Sequence, residues 1–254
     1  MNEAVLRALL MSVASGMATM LGFSVIYLPR KNDKVFVALT LSFAAGVMLS
    51  VSFIELLPAA FNHLAQNRGS VSSVLASVFF VFIGAMSIYI AQKAVFPKSA
   101  TEGTGKELYK LGIVSMLAMM LHNFPEGIAG FMAGYDGLSE GLNVLCAVAF
   151  HNIPEGITIA LPIYIATQSK KTAFNFTLLS SVAEPLGALC AFFILRPFIN
   201  GYLMGAVFAF TAGVMIYIAL GEMIYHAYKC VSQLTATSLV ICGICFMLVL
   251  HELF

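Results

Sequence analysis

Along the chain, long blocks of apolar residues alternate with short clusters of polar and charged ones. The blocks run roughly 20 residues or more, the length an α-helix needs to cross about 30 Å of hydrocarbon. They fall at 4–28, 35–60, 71–95, 111–133, 140–167, 172–195, 200–228 and 234–253, and predict eight transmembrane helices. Alternating ten-residue segments of the kind that build a membrane barrel are absent. The first block is long enough to span and lacks a small-residue cleavage pattern, so it reads as mature structure.

Composition agrees: 60% of the residues are hydrophobic and 10% charged, as in an all-α polytopic membrane protein rather than a soluble domain. The pattern makes 1–254 one transmembrane domain, with helices one to three over about 4–95, four and five over about 111–167, and six to eight over about 172–253. The segment 96–110, FPKSATEGTGKELYK, is rich in Gly, Ser and Thr and reads as a flexible cytoplasmic loop.

The net charge of +1 averages clusters on opposite sides of a membrane. Counted by side, Arg30, Lys31, Lys34, Lys93, Lys98, Lys106, Lys110, Lys170, Lys171 and Lys229 face Arg7, Arg68 and Arg196. Basic residues favour the cytoplasm, which places both termini outside. The odd set of cysteines, Cys146, Cys190, Cys230, Cys242 and Cys245, lies mostly within spans and reads as packing rather than redox or zinc chemistry.

Two segments recur. FAAGVMLSVSFIE from Phe43 to Glu55 aligns with FTAGVMIYIALGE from Phe210 to Glu222, and LLMSVASG from Leu9 with LLSSVAEP from Leu178. Helices one and two are each five crossings from their counterparts, so the repeat is inverted, as in many secondary transporters. The expected order is 3+2+3, with inverted three-helix repeats around central helices four and five.

Those central helices carry HNFPEG at 122–127 and HNIPEG at 151–156. His122 lies about 12 residues, roughly 18 Å of helix, from Lys110, and His151 about 11 residues, roughly 17 Å, from Glu140, so both motifs fall near mid-bilayer. His and Glu at i,i+4 share a helix face with Asn. Pro125 and Pro154 remove a backbone N–H and free the carbonyls of Leu121 and Phe150.

Interhelical hydrogen bonding is the alternative reading of membrane polar residues. Two carboxylates at one depth, with no intramembrane Lys or Arg to pair with them, favour a cation from solution. Imidazole selects transition metals over Mg²⁺ or Ca²⁺. Candidate ligands are His122, Asn123, Glu126, His151, Asn152 and Glu155, with Glu184 about 13 residues, roughly 20 Å, inside its span from Lys171. Met48, at similar depth, offers a soft sulfur.

These motifs, with AEP on the next span, resemble the ZIP family of divalent metal-ion transporters, in a bacterial zinc-transporting branch. The resemblance covers all eight spans. It implies uptake of Zn²⁺, with Fe²⁺, Mn²⁺, Co²⁺ or Cd²⁺, across the cytoplasmic (inner) membrane, with no prosthetic group and no catalytic residue. It also implies two adjoining metal positions. His122, Glu126 and Glu155, with His151 and Met48, would form one; Asn123, Asn152 and Glu184, sharing both glutamates, the other. Ala59 stands where the family pattern LLPEA has Glu, and the 96–110 loop lacks the family's histidines. Glu55 and His63 toward the outside, and Glu222 and His226 toward the inside, are candidate pathway residues.

The partners expected are divalent metal ions and the lipid bilayer, with no nucleic acid; a homodimer is the oligomer entertained. Two alternatives stand beside uptake by alternating access. An intramembrane metalloenzyme would show HExxH, whereas Asn follows each His. A proton-coupled exporter would use the same site in the opposite direction.

Overall fold

The structure is a computed structural model that describes residues 3–28, 32–66, 69–95, 104–195 and 200–253. The described residues are almost entirely helical. We number the rods α1 (Glu3–Tyr27), α2 (Asp33–Ala65), α3 (Ser70–Val95), α4 (Thr104–Asp136), α5 (Leu138–Thr167), α6 (Lys170–Ile194), α7 (Gly201–Cys230) and α8 (Gln233–Leu253).

Seven of them are long and apolar enough to cross a membrane, and the chain is a multi-pass membrane protein. The rod outside those seven is α4, whose HNFPEG segment and charged first turns, with Lys106, Glu107 and Lys110, dilute its hydropathy. Helix α4 also begins earlier than its apolar block. It takes in 104–110 of the segment read as a flexible loop, and the rest of that segment, 96–103, lies outside the described residues. Arg30, Lys31, Arg68, Lys98 and Arg196, used in the charge count, lie outside them too.

Side-chain caps set several helix starts. Asn32 accepts from the backbone N–H groups of Lys34 and Val35 at 3.1 and 3.3 Å, Ser169 from Thr172 at 3.2 Å, and Asn200 from Leu203 at 3.0 Å. Gln168, at φ 54°, ends α5 in the left-handed region. Helical conformation continues through Pro125, Pro154 and Pro162. Pro185 acts differently: α6 breaks at Val182, beside the Ser181 carbonyl that Pro185 deprives of its helical partner. Wider π-turns interrupt α2 at Val51–Leu56 and α7 at Ala219–Ile224, so Glu55 and Glu222, which align in the repeat, both sit on such turns.

The helices pack as two groups: α1 and α6 lie against the central α4 and α5, and α2, α3, α7 and α8 pack with one another. Close backbone approaches recur in equivalent places. Gly127 of α4 abuts the Glu184 carbonyl and Gly187 of α6 the Phe124 carbonyl; in the same way Gly156 of α5 abuts Thr19 and Gly22 of α1 abuts Ile153. In the other group Gly46 meets Val240 and Gly243 meets Phe43, while Gly213 meets Val81 and Gly84 meets Phe210. A side chain at any of these positions would hold the helices apart, as in small-residue membrane interfaces. An apolar cleft of about 660 Å³ lies between the groups, lined by Phe80, Leu121, Pro125, Leu186 and Phe210 among others.

Candidate metal site

His122, Asn123 and Glu126 come from α4, and His151, Asn152 and Glu155 from α5; all six are buried. The paired glycines let α4 and α5 sit close to α6 and α1, which seals the polar faces from the surroundings. Each histidine then meets the glutamate of the opposite helix. His122 Nε2 is 3.2 Å from Glu155 Oε1, and His151 Nε2 is 3.4 Å from Glu126 Oε1. The same-helix pair His122–Glu126 is longer, at 3.6 Å.

These are charge-pairing distances, yet most of the atoms make no hydrogen bond. Both ring nitrogens of His122, both carboxylate oxygens of Glu155, both amide atoms of Asn123, His151 Nδ1 and Asn152 Oδ1 are buried without a hydrogen-bond partner. Each such atom costs about 1–3 kcal/mol when buried unpaired, so a concentration of them in one place calls for a ligand. Among the described residues, no three His, Cys, Asp or Glu side chains are already gathered around one point as metal ligands. The imidazoles and carboxylates face one another instead. As a donor set they are imidazole nitrogen plus carboxylate and amide oxygen, which suits divalent transition metals.

Glu184 belongs to a neighbouring cluster between α1 and α6. Its Oε2 accepts from Asn152 Nδ2 at 2.9 Å and its Oε1 from the Ser15 hydroxyl. Met48 is fully buried in the apolar core of α2, with Met119 and Met215 in the same cluster. Glu55 is partly buried and within electrostatic reach of His151. His63 lies farther along α2, its ring 5.7 Å from that of Phe208.

Glu222 and His226 line a separate cavity of about 210 Å³ with Glu107, Lys110 and Lys229. Glu222 accepts a hydrogen bond from Gln92 Nε2, and Tyr217 donates to Gln92 Oε1 at 2.9 Å. Sequence reasoning missed Ser15, Gln92 and Glu107. Glu107 falls within the segment read as a loop and Gln92 near the end of the third apolar block, where a single polar residue carries no signal of its own. Ser15 does have one, since SVAS of α1 aligns with SVAE of α6 and sets Ser15 opposite Glu184 in the repeat.

Membrane-crossing helices around a buried imidazole and carboxylate cluster define a polytopic membrane protein with candidate metal ligands at its centre. Residues 97–251 match the family described as ZIP Zinc transporter. The chain is 35% identical over 263 residues to the zinc transporter ZupT of Streptococcus mutans, covering 100% of both chains. It is 36% identical over 237 residues to ZupT of Chlorobaculum parvum, covering 88% of each, and 36% identical over 244 residues to ZupT of Lysinibacillus sphaericus, covering 90% of each. The chain belongs to the ZIP family, which makes it a transporter and not an enzyme.

Proposed function

We propose that this protein takes up divalent transition metals, zinc foremost, with iron, manganese, cobalt and cadmium in the same chemical class, across the cytoplasmic membrane. The observation that carries the reading is the reciprocal pairing of His122 with Glu155 and of His151 with Glu126. Removing either helix would leave half a ligand set, and a transition metal satisfies imidazole and carboxylate together. The relatives named as zinc transporters support zinc as the principal substrate.

In this reading all eight rods cross the membrane in 3+2+3 order, with both termini outside. Glu126 and Glu155 bridge two metal positions, one toward His122 and His151, the other toward Asn123, Asn152 and Glu184. The matched close approaches of α4 to α6 and of α5 to α1 support the inverted repeat. The two helix groups, separated in part by an apolar cleft, support alternating access in which α1, α4, α5 and α6 move against the others. Glu55 marks the outer approach and the cavity of Glu107, Glu222 and His226 the inner exit.

The test is accumulation of radioactive zinc in cells of a zinc-uptake-deficient strain, with and without the protein. Uptake above the empty strain, abolished by Glu126→Ala or Glu155→Ala at equal expression, is the expected result. Net loss of zinc from the cells would reverse the direction, and wild-type rates in both variants would remove the site.

A further inference from the structure

The cluster between α1 and α6 is built differently from the histidine and glutamate crossing. Glu184 has both carboxylate oxygens occupied, one by the Ser15 hydroxyl and the other by Asn152 Nδ2 at 2.9 Å. Asn152 Nδ2 spends its second proton on the Ser15 backbone carbonyl, at 3.0 Å. The Ser12 hydroxyl donates to the Glu184 backbone carbonyl at 3.2 Å. Bonds to a carboxylate are the stronger kind, and Ser15, Asn152 and Glu184 are all buried. The carboxylate is therefore held between Ser15 of α1 and Asn152 of α5.

A serine hydroxyl has one proton to give. Besides Glu184, that of Ser15 has a second acceptor within its own helix, the Met11 carbonyl at 3.1 Å. Releasing Glu184 would thus leave Ser15 satisfied. Asn152 Oδ1 and both Glu155 oxygens, by contrast, accept no hydrogen bond. A cation drawn to those free oxygens shares Glu184 with the Ser15 hydroxyl and the Asn152 amide, whose protons draw on the carboxylate's charge and hold its orientation.

We propose that Ser15 is a positioning residue that sets how strongly Glu184 engages the transported cation, and so the balance between capture and release. The proposal rests on the transport reading above. Transport needs a site that binds firmly enough to strip water and weakly enough to let go. With the hydroxyl present, Glu184 is a restrained ligand. Without it, Glu184 engages more strongly and holds on longer.

The test compares wild type, Ser15→Ala, Ser15→Thr, Glu184→Gln and the double variant Ser15→Ala/Glu184→Gln by zinc uptake in cells and by zinc binding to purified protein. Ser15→Ala is expected to lower KM roughly tenfold, the value of one hydrogen bond to a charged group, and to lower the maximal rate with it. Ser15→Thr keeps the hydroxyl and returns both parameters toward wild type. In the Glu184→Gln background the alanine substitution is expected to leave zinc affinity where Glu184→Gln alone sets it. An unchanged KM in Ser15→Ala, or the same shift with and without Glu184, overturns the assignment. Absence of uptake by wild type sinks the transport reading itself, whereas normal wild-type uptake with unaltered Ser15→Ala kinetics sinks only the role of Ser15.

Discussion

Substituting Gly127 by alanine tests whether close approach of α4 to α6 builds the site. A Cβ at Gly127 would lie 2.7 Å from the Glu184 carbonyl carbon and closer still to its oxygen, where ordinary contact begins at 3.4 Å. The obstacle is backbone, so no side-chain rotation relieves it; the helices must part by about 1 Å or more to clear the carbonyl oxygen, an overpacking that costs about 1–3 kcal/mol. The residue pushed away is Glu184 itself, whose carboxylate is held by Ser15 and Asn152. Misplacement of functional groups by about 1 Å costs on the order of 100-fold in well-aligned enzymes, so a drop in zinc uptake of roughly tenfold or more is expected. Melting in detergent should fall by several degrees. Gly130 provides the control one turn away on the same helix, since a Cβ there meets nothing within 4 Å. Gly130→Ala should leave uptake unchanged and raise stability by up to about 1 kcal/mol through helix propensity. Equal behaviour of the two variants, measured as initial radioactive zinc uptake at matched expression together with thermal melting, would refute the packing argument.

Glu155→Gln keeps the shape of the residue but removes the charge that faces His122 at 3.2 Å; zinc binding to purified protein should weaken by at least 100-fold, on the order of a lost charge-assisted contact in a buried site, with the protein still folded by circular dichroism. Gln92→Ala removes the donor to Glu222, so uptake should slow several-fold while zinc affinity at the mid-membrane cluster stays the same, as equilibrium binding beside initial rates would show. Ser169→Ala deletes the cap that accepts from Thr172 and should cost about 1 kcal/mol of stability, read as a lower melting temperature with KM for zinc unaltered.

The apolar blocks revealed the helices because a membrane-spanning rod needs length and hydropathy over many residues, and both are local properties. They failed at α4, where 104–110 is polar enough to read as a loop yet continues the helix inward and brings Glu107 and Lys110 to the cavity of Glu222 and His226. The AGVM repeat was legible as a repeat, but not as packing. Gly46 and Gly213 mark backbone approaches to Val240 and Val81, and neither neighbour carries a sequence signal. Grouping of α1 and α6 with the central pair likewise follows from glycines whose partners lie far away in the chain.

The hexapeptides show the same limit at the site itself. Within HNFPEG the spacing puts His122 and Glu126 on one face, and within HNIPEG His151 and Glu155, so the motifs read as two incomplete ligand sets without showing which histidine meets which glutamate. Across the helix crossing, His122 approaches Glu155 at 3.2 Å and His151 approaches Glu126 at 3.4 Å, against 3.6 Å for His122 and Glu126 on one helix. The cross-helix partners are set by how α4 crosses α5, a tertiary fact fixed in turn by Gly127 against α6 and Gly156 against α1. Residue types are therefore readable from the motifs, while the pairing depends on glycines whose contacts lie on other helices. That dependence has a consequence for function. If α4 and α5 each supply half of every pair, a change in their crossing loosens both pairs at once, and the cation is bound or released by helix packing as much as by the strength of any single ligand.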